Sequence, residues 1–468
     1  MKKYLIIGIL IVFMCIPVAV MAVPSAPPGD PGGQSSGSTT VSYSGANTIS
    51  SDTTDSNKTY TSSNSSENAL LVSGGISTIT NPTVTKSGDS DGDASDFYGT
   101  NAAILVYNGA TLNISGGTVT TNGSHANGVF AYGTGIINIS DTTINTTSNN
   151  SGGIMVTGGG TLTASNLNIK TTGNSAAAIR SDRGGGTLTV NSGSYETNGV
   201  GSPSIYSTAD ITVNNATLTS KASEGVVVEG ANSVTLNNTT LTDTNTTLNG
   251  NSETYKNIFL YQSMSGDADT GTASFTAKDS NIITNKGDTI FVTNTTAVIT
   301  LENNTFTNND GDFLRIQTGK WGTSGSNGGN VTLNMTNQNI EGNIIVDSIS
   351  TLDINLTSGT IFTGAIDSDN QAKEINLTLS SDSTLILTGD TYIDSLTNED
   401  TSNSNITLNG HKLYVDGNEV NATGTSTTTT NNEETNTKTD KTTIAIGIVL
   451  GILAIIVIVL IIRKRRNK

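Results

Sequence analysis

The sequence predicts an all-β chain coiled as a parallel β-helix, on three observations: a recurring apolar spacing, turn-forming residues between its copies, and no sustained helical period between the two ends. The spacing is an apolar residue, a second two positions on, and a third five beyond that. It runs through Leu112, Ile114, Val119, then Ile137, Ile139, Ile144, then Leu162, Ala164, Ile169, then Leu188, Val190, Tyr195, at intervals of 25, 25 and 26 residues. It continues from Ile211 and Val234 and, after insertions, from Phe275 and Ile299. The last copies are expected at Leu333, Met335, Ile340, then Ile354, Leu356, Ile361, then Leu385, Leu387, Tyr392, and Ile406, Leu408, Leu413.

A second apolar pair precedes most early copies, as in Ile104 and Val106, Val129 and Ala131, Ile154 and Val156, and Val226 and Val228, so each repeat holds three short strands. Residues two apart on a strand share a face, which sends each apolar pair inward and leaves Thr or Asn facing water. Gly and Asn stand where the chain must turn, as in Ser115-Gly116-Gly117 and Asn237-Asn238, because they tolerate positive φ. Stacking such circuits buries one continuous aliphatic column and satisfies the backbone along the axis. A β-sandwich would show irregular spacings within about 100 residues, and a disordered Thr/Asn tract would lack the regular apolar pairs.

The ends are different in kind. Residues 1–22 read as a signal peptide: Lys2 and Lys3, an apolar run from Tyr4 to Val20, then Val20-Met21-Ala22 as a cleavage site. Residues 23–40, rich in Pro and Gly, form a linker, and 41–100 are expected as an N-terminal cap with a partial turn in which Ile79 and Val84 fit the spacing. The helix body is expected over 101–420, and a Thr/Asn-rich stalk over 421–443.

Residues 444–462 are apolar without charge or proline, long enough at 1.5 Å per residue to cross roughly 28 Å of hydrocarbon. Arg463, Lys464, Arg465, Arg466 and Lys468 follow as a cytoplasmic tail. The expected location is the cell membrane, single-pass, with the body outside. Net charge is −17, and leaving out the basic residues of both ends makes the body more acidic still, which excludes nucleic acid as a partner. The single cysteine, Cys15, lies in the signal peptide, so burial and backbone hydrogen bonds alone must hold the mature body.

Circuits such as Asn127-Gly128-Val129-Phe130-Ala131-Tyr132-Gly133, followed by Ile137-Asn138-Ile139 and Thr143-Ile144, together with the C-terminal span, resemble right-handed parallel β-helix repeat proteins. Among these the chain is similar to the adhesin-like surface proteins of methanogenic archaea and some gut bacteria, over residues 100 to 415. The resemblance implies a right-handed, pectate-lyase-like solenoid, displayed at the cell surface and binding carbohydrate or cell-surface ligands without catalysis. The same fold carries polysaccharide lyases and glycoside hydrolases, which makes an enzyme the alternative, and an envelope spacer without specific ligand a second one. A hydrolase-like Gly-His-Gly segment is matched poorly by Gly410-His411-Lys412, and no Asp-Asp or Asn-Thr-Asp triplet stands in an earlier turn to partner it.

Three groups are candidate sites. Arg180, Asp182 and Arg183 form a compact charged cluster able to meet an anionic sugar, set against its reading as a solvated turn. Trp321, in an insertion that lengthens the Ile299 to Leu333 interval to 34 residues, can stack on a sugar ring or pin its loop to the rod. Asp89, Asp91, Asp93 and Asp96 alternate around Gly92 in a pattern that could converge on a structural Ca²⁺, or form an acidic loop that keeps the end of the rod soluble. Sequons recur, including Asn113, Asn138, Asn145, Asn215 and Asn405, as composition alone would produce.

Overall fold

In the computed structural model, which describes residues 41–248 and 252–422, the chain is a parallel β-solenoid of the right-handed type with about 15 turns. First strands of successive turns build a 12-stranded parallel sheet from Thr48–Ile49 to Ile344–Val346. Second and third strands join in a 21-stranded sheet, because the corner between them is so tight that strands such as Gly160–Thr171 run through it unbroken. Near the C-terminal end the third strands separate into a sheet of their own, from Asn339–Glu341 to Ile406–Thr407. The stack ends on a short hairpin in which Leu413–Val415 pairs antiparallel with Asn418–Glu419.

The expected inward residues are inward. Leu112, Ile137, Leu162 and Leu188 pair in one column, Ile114, Ile139, Ala164 and Val190 in the next, and Val119, Ile144, Ile169 and Tyr195 in a third. All are buried within one continuous core. Each fully buried aliphatic side chain contributes about 1.5–3 kcal/mol, and a chain without disulfides depends on that sum.

The corner between second and third strands holds a residue at positive φ in turn after turn: Asn81, Asp141, Asn166, Asn215, Asn238, Asp279, Asn303 and Asn337. Their amides bond along the axis, Asn166 Nδ2 to Asp141 Oδ1 at 2.8 Å and Asn238 Nδ2 to Asn215 Oδ1 at 2.7 Å. Asn and Asp are favoured there because a short polar side chain offsets the left-handed penalty by local hydrogen bonding.

Two parts of the expected layout change. Residues 41–100 already contain complete pairing: Thr53–Ser56 stacks on Ile76–Thr80, and Thr59–Ser62 on Thr83–Lys86, two turns ahead of residue 101. Near the C-terminus the spacing misassigns residues. Ile354 stacks on Leu377, not Leu385, while Leu385 pairs with Phe362 in the third-strand column. Within the Ile354 copy the corner Ser358-Gly359-Thr360 is one residue longer than Gly116-Gly117-type corners, so that Phe362 is fully buried and the expected Ile361 is 39% exposed. A one-residue slip exchanges the two faces of a strand.

The outward face of the second strands is uniform. Thr54, Thr78, Asn113, Asn138, Thr163, Thr189, Thr212, Thr235, Thr276, Thr300, Asn334, Asn355, Thr378 and Thr397 are Cα partners in unbroken succession. None of them is buried.

A polar column also runs inside, at the ends of the third strands. Thr146 and Thr171 donate their hydroxyls to the Ser151 and Ala176 carbonyls at 2.6 Å, pinning the loops that lead to the next first strand. Asp243 occupies the same column, stacked between Ser220 and Thr284. Its Oδ1 accepts the Asn245 N–H at 2.7 Å, and its Oδ2 is buried without a partner.

Among the described residues no helix is long and apolar enough to cross a membrane. The signal peptide 1–22, the linker 23–40, the span 444–462, the tail 463–468 and all but the first two residues of the stalk lie outside them.

Two stability outcomes are expected. Ile139→Asp places a carboxylate in the core and should cost several kcal/mol, whereas Asn138→Asp on the outer face, which gives up only the exposed bond to Asn113 Oδ1, should cost no more than about 1 kcal/mol, read from denaturant midpoints. Burial pushes the Asp243 carboxyl up to about 8 from an ordinary 3.8, with Glu224 adding to the rise and the Asn245 N–H opposing it. Because the folded value is raised, stability is full below the unfolded value and is lost as pH climbs from about 4 toward 8. Asp243→Thr should therefore melt close to the parent at pH 4 and be more stable by about 1–3 kcal/mol at pH 8.

Candidate functional site

An open cleft lies on the outward face of the first sheet, where two consecutive strands and one insertion meet. Lys256–Tyr261 and Asp288–Thr293 pair in parallel, Phe259 opposite Phe291. Ile258 and Leu260 point inward, so alternation turns Phe259 and Tyr261 out. The Phe259 and Tyr261 rings stack at 4.5 Å with 13° between their planes, and Phe291 lies 5.8 Å from Phe259. Lys256 Nζ sits 4.5 Å above the Phe259 ring and 3.5 Å from Glu224 Oε1. Burial pulls the Lys256 ammonium below its ordinary value against the pull of Glu224.

The insertion 317–328 forms the opposite wall. Asn327 Nδ2 donates to the Gly319 and Trp321 carbonyls, both at 2.9 Å, and the Thr318 N–H donates to Asp347 Oδ2 at 2.7 Å. Trp321 leans on Tyr261 with ring centroids 5.7 Å apart and remains half-buried. Between these walls the cleft is lined by Phe259, Phe291, Lys256, Gln317, Lys320 and Glu253, among others. Lys256 and Phe291 are buried in its floor, Lys256 Nζ donating to Ser252 Oγ at 2.6 Å and to the Thr254 carbonyl at 3.0 Å, while Phe259, Trp321, Gln317, Lys320 and Glu253 are the larger lining residues that reach solvent.

The charged cluster lies elsewhere and is covered. Arg180 donates to Asp182 Oδ2 at 3.0 Å, with side-chain exposures of 12% and 7%. Burial outweighs the Arg180 guanidinium and pushes the Asp182 carboxyl up to about 7, with Asp267 and Asp96 adding to the rise. Arg183 bonds Asp267 Oδ1 at 2.8 Å and lies 3.9 Å over the Phe97 ring. Phe97 belongs to a helix, Asp93–Tyr98, whose segment folds back over the first sheet: Thr157 donates to the Phe97 carbonyl at 2.6 Å, and Tyr98 meets Tyr132 edge-on at 5.5 Å. The helix ends on Gly99 at φ 72°, where a Cβ would meet the Phe130 ring at 2.9 Å. Arg183 thus ties the helical segment and the loop carrying Asp267 to the rod, with Arg180 and Asp182 paired beside it and Trp321 in a separate place.

The four aspartates are not brought together. Asp89 accepts the Ser124 N–H at 2.8 Å, while Asp96 Oδ2 pairs with His125 Nδ1 at 2.9 Å. Asp91 and Asp93 are exposed, and among the described residues no group of three or more His, Cys, Asp or Glu could hold a metal ion.

The aromatic floor was absent from the sequence-based site, although a signal exists. Lys256-Asn-Ile-Phe-Leu-Tyr and Asp288-Thr-Ile-Phe-Val-Thr both set Phe between two inward aliphatics, which turns an aromatic ring outward on neighbouring turns. No protein-family model, no curated protein and no solved structure matches the chain. Removing the Arg183 clamp should loosen only the helical insertion: in Arg183→Ala, amides of residues 93–98 should exchange about tenfold faster while the global unfolding free energy moves by less than about 1 kcal/mol.

Proposed function

We propose that the chain is a cell-surface, adhesin-like display rod that binds glycans without catalysis, held outside the membrane by the span 444–462. The observation that carries this reading is the Trp321 cleft. The partly exposed rings of Phe259 and Trp321 give it an aromatic wall, and Gln317, Lys320 and Glu253 stand at its edge. Aromatic stacking with peripheral hydrogen bonds is the chemistry by which a pyranose ring is held. The signal peptide and the basic tail support export and orientation. A solenoid with insertions on one sheet supplies a rigid support for a binding surface built from loops.

The test is binding of the full-length chain to arrayed neutral and uronic oligosaccharides, with product release followed in parallel. Trp321→Ala should weaken retention at least about tenfold with an unchanged circular dichroism spectrum. Release of unsaturated or reducing ends would replace this reading with that of a polysaccharide lyase or hydrolase.

A further inference from the structure

We propose that the Thr/Asn column on the second strands is a second binding face, for a neutral, extended polysaccharide lying along the rod axis. This deepens the glycan-binding reading by ligand class, and it rests on a different face from the Trp321 cleft.

The column runs without interruption from Thr54 to Thr397, and every member is Thr or Asn. In a chain of net charge −17 it carries no charge at all. Rungs of a sheet lie about 4.8 Å apart, so equivalent hydroxyls and amides repeat at that step over roughly 60 Å. Strand propensity accounts for Thr at such positions, and Asn, depleted from strands in general, is held here by bonds along the column. Asn amides present donors and acceptors together, and they bond along the column: Asn138 Nδ2 to Asn113 Oδ1 and Asn355 Nδ2 to Asn334 Oδ1, both at 2.9 Å. β-branched Thr is stiff about χ1. The array is therefore ordered before anything binds, which lowers the entropy cost of binding.

The chemistry of the face selects its occupant. The column holds no cation, and beside it Lys278 is paired with Glu302 at 2.6 Å while Asp210 and Asp353 are acidic, so phosphate-bearing polymers and uronic chains gain nothing there. With Ile76 and Ile136 the exposed large apolar side chains beside it, both at its N-terminal end, the column cannot supply the core of a protein–protein interface along its length. A neutral polyol matches it, because each hydroxyl both donates and accepts, as Thr hydroxyls and Asn amides do together. One hydrogen bond at a wet surface contributes about 1 kcal/mol. A single sugar is therefore held weakly, whereas a chain that meets a partner at each turn is held by the sum, as linked weak contacts are.

Co-sedimentation of the full-length chain with cellulose, a soluble neutral mannan and polygalacturonate, plus a chain-length series of the neutral oligosaccharides, tests this. Binding is expected to the neutral polymers, strengthening at least about tenfold from short oligomer to polymer. Thr163→Lys, Thr189→Lys and Thr212→Lys together, on adjacent turns, should weaken it at least about tenfold. The same positions changed to Val remove the hydroxyls while keeping the shape, and should do likewise if the lysine variant folds poorly. Lysines at Thr59, Thr118 and Thr217 on the third strands, and Trp321→Ala, should leave polymer binding at the parent level. The inference is overturned if no neutral polymer binds, if short oligomers bind as tightly as polymers, or if the column variants bind like the parent. Loss of polymer binding in Trp321→Ala also overturns it, by assigning all glycan binding to the cleft. Oligosaccharide retention on the array that Trp321→Ala leaves intact would instead remove the cleft reading alone.

Discussion

The backbone ladder between equivalent strands of successive turns is the constraint on which the rest of this molecule depends. It places each residue directly beside the one a full turn earlier, Leu112 beside Ile137 and Ile137 beside Leu162. Side-chain chemistry is therefore organised in columns along the axis, and a column is stable only if neighbours tolerate one another at about 4.8 Å. Aliphatic columns bury continuously, which replaces disulfides as the source of stability.

Polar columns follow the same rule with hydrogen bonds in place of contacts. The left-handed corner repeats Asn and Asp because their amides and carboxylates bond to the next turn. Where a column breaks its pattern the cost appears locally: Asp243 stands between Ser220 and Thr284, with one carboxylate oxygen buried and unpartnered. Glu229 shows the opposite outcome. Fully enclosed, it accepts hydroxyl hydrogen bonds from Tyr206, Tyr261 and Ser263, so donors from the turns on either side and from an insertion meet its carboxyl group.

The insertions give the rod its asymmetry. The helical segment 93–98 and the loops at 262–271 and 317–328 all adjoin the first sheet, whose outward column contains Phe130, Met155, Arg180, Tyr206, Phe259 and Phe291. The first two insertions cover part of that column and meet through Arg183 and Asp267. The third leaves the Phe259 and Phe291 rings beside an open cleft. A rod with one built face and one plain Thr/Asn face has two surfaces of different chemistry, which is why a compact aromatic site and an extended polar one are assigned separately.

The repeat, its inward columns and its turn residues could be read from the sequence, because period-two alternation and positive-φ corners are local properties of consecutive residues. Ile139 inward, Asn138 outward and Asn238 at a corner all follow from that alone. Register near the C-terminus could not, since one extra residue in the Ser358-Gly359-Thr360 corner changes which of Ile361 and Phe362 faces the core. The fate of the charges also needed the fold. Asp89 and Asp96, close in sequence, turn to Ser124 and His125 on a later turn, and Arg183 finds Asp267 far along the chain. Tertiary structure decided those partners because a solenoid brings residues together by turn number, and an insertion can fold back over several turns at once.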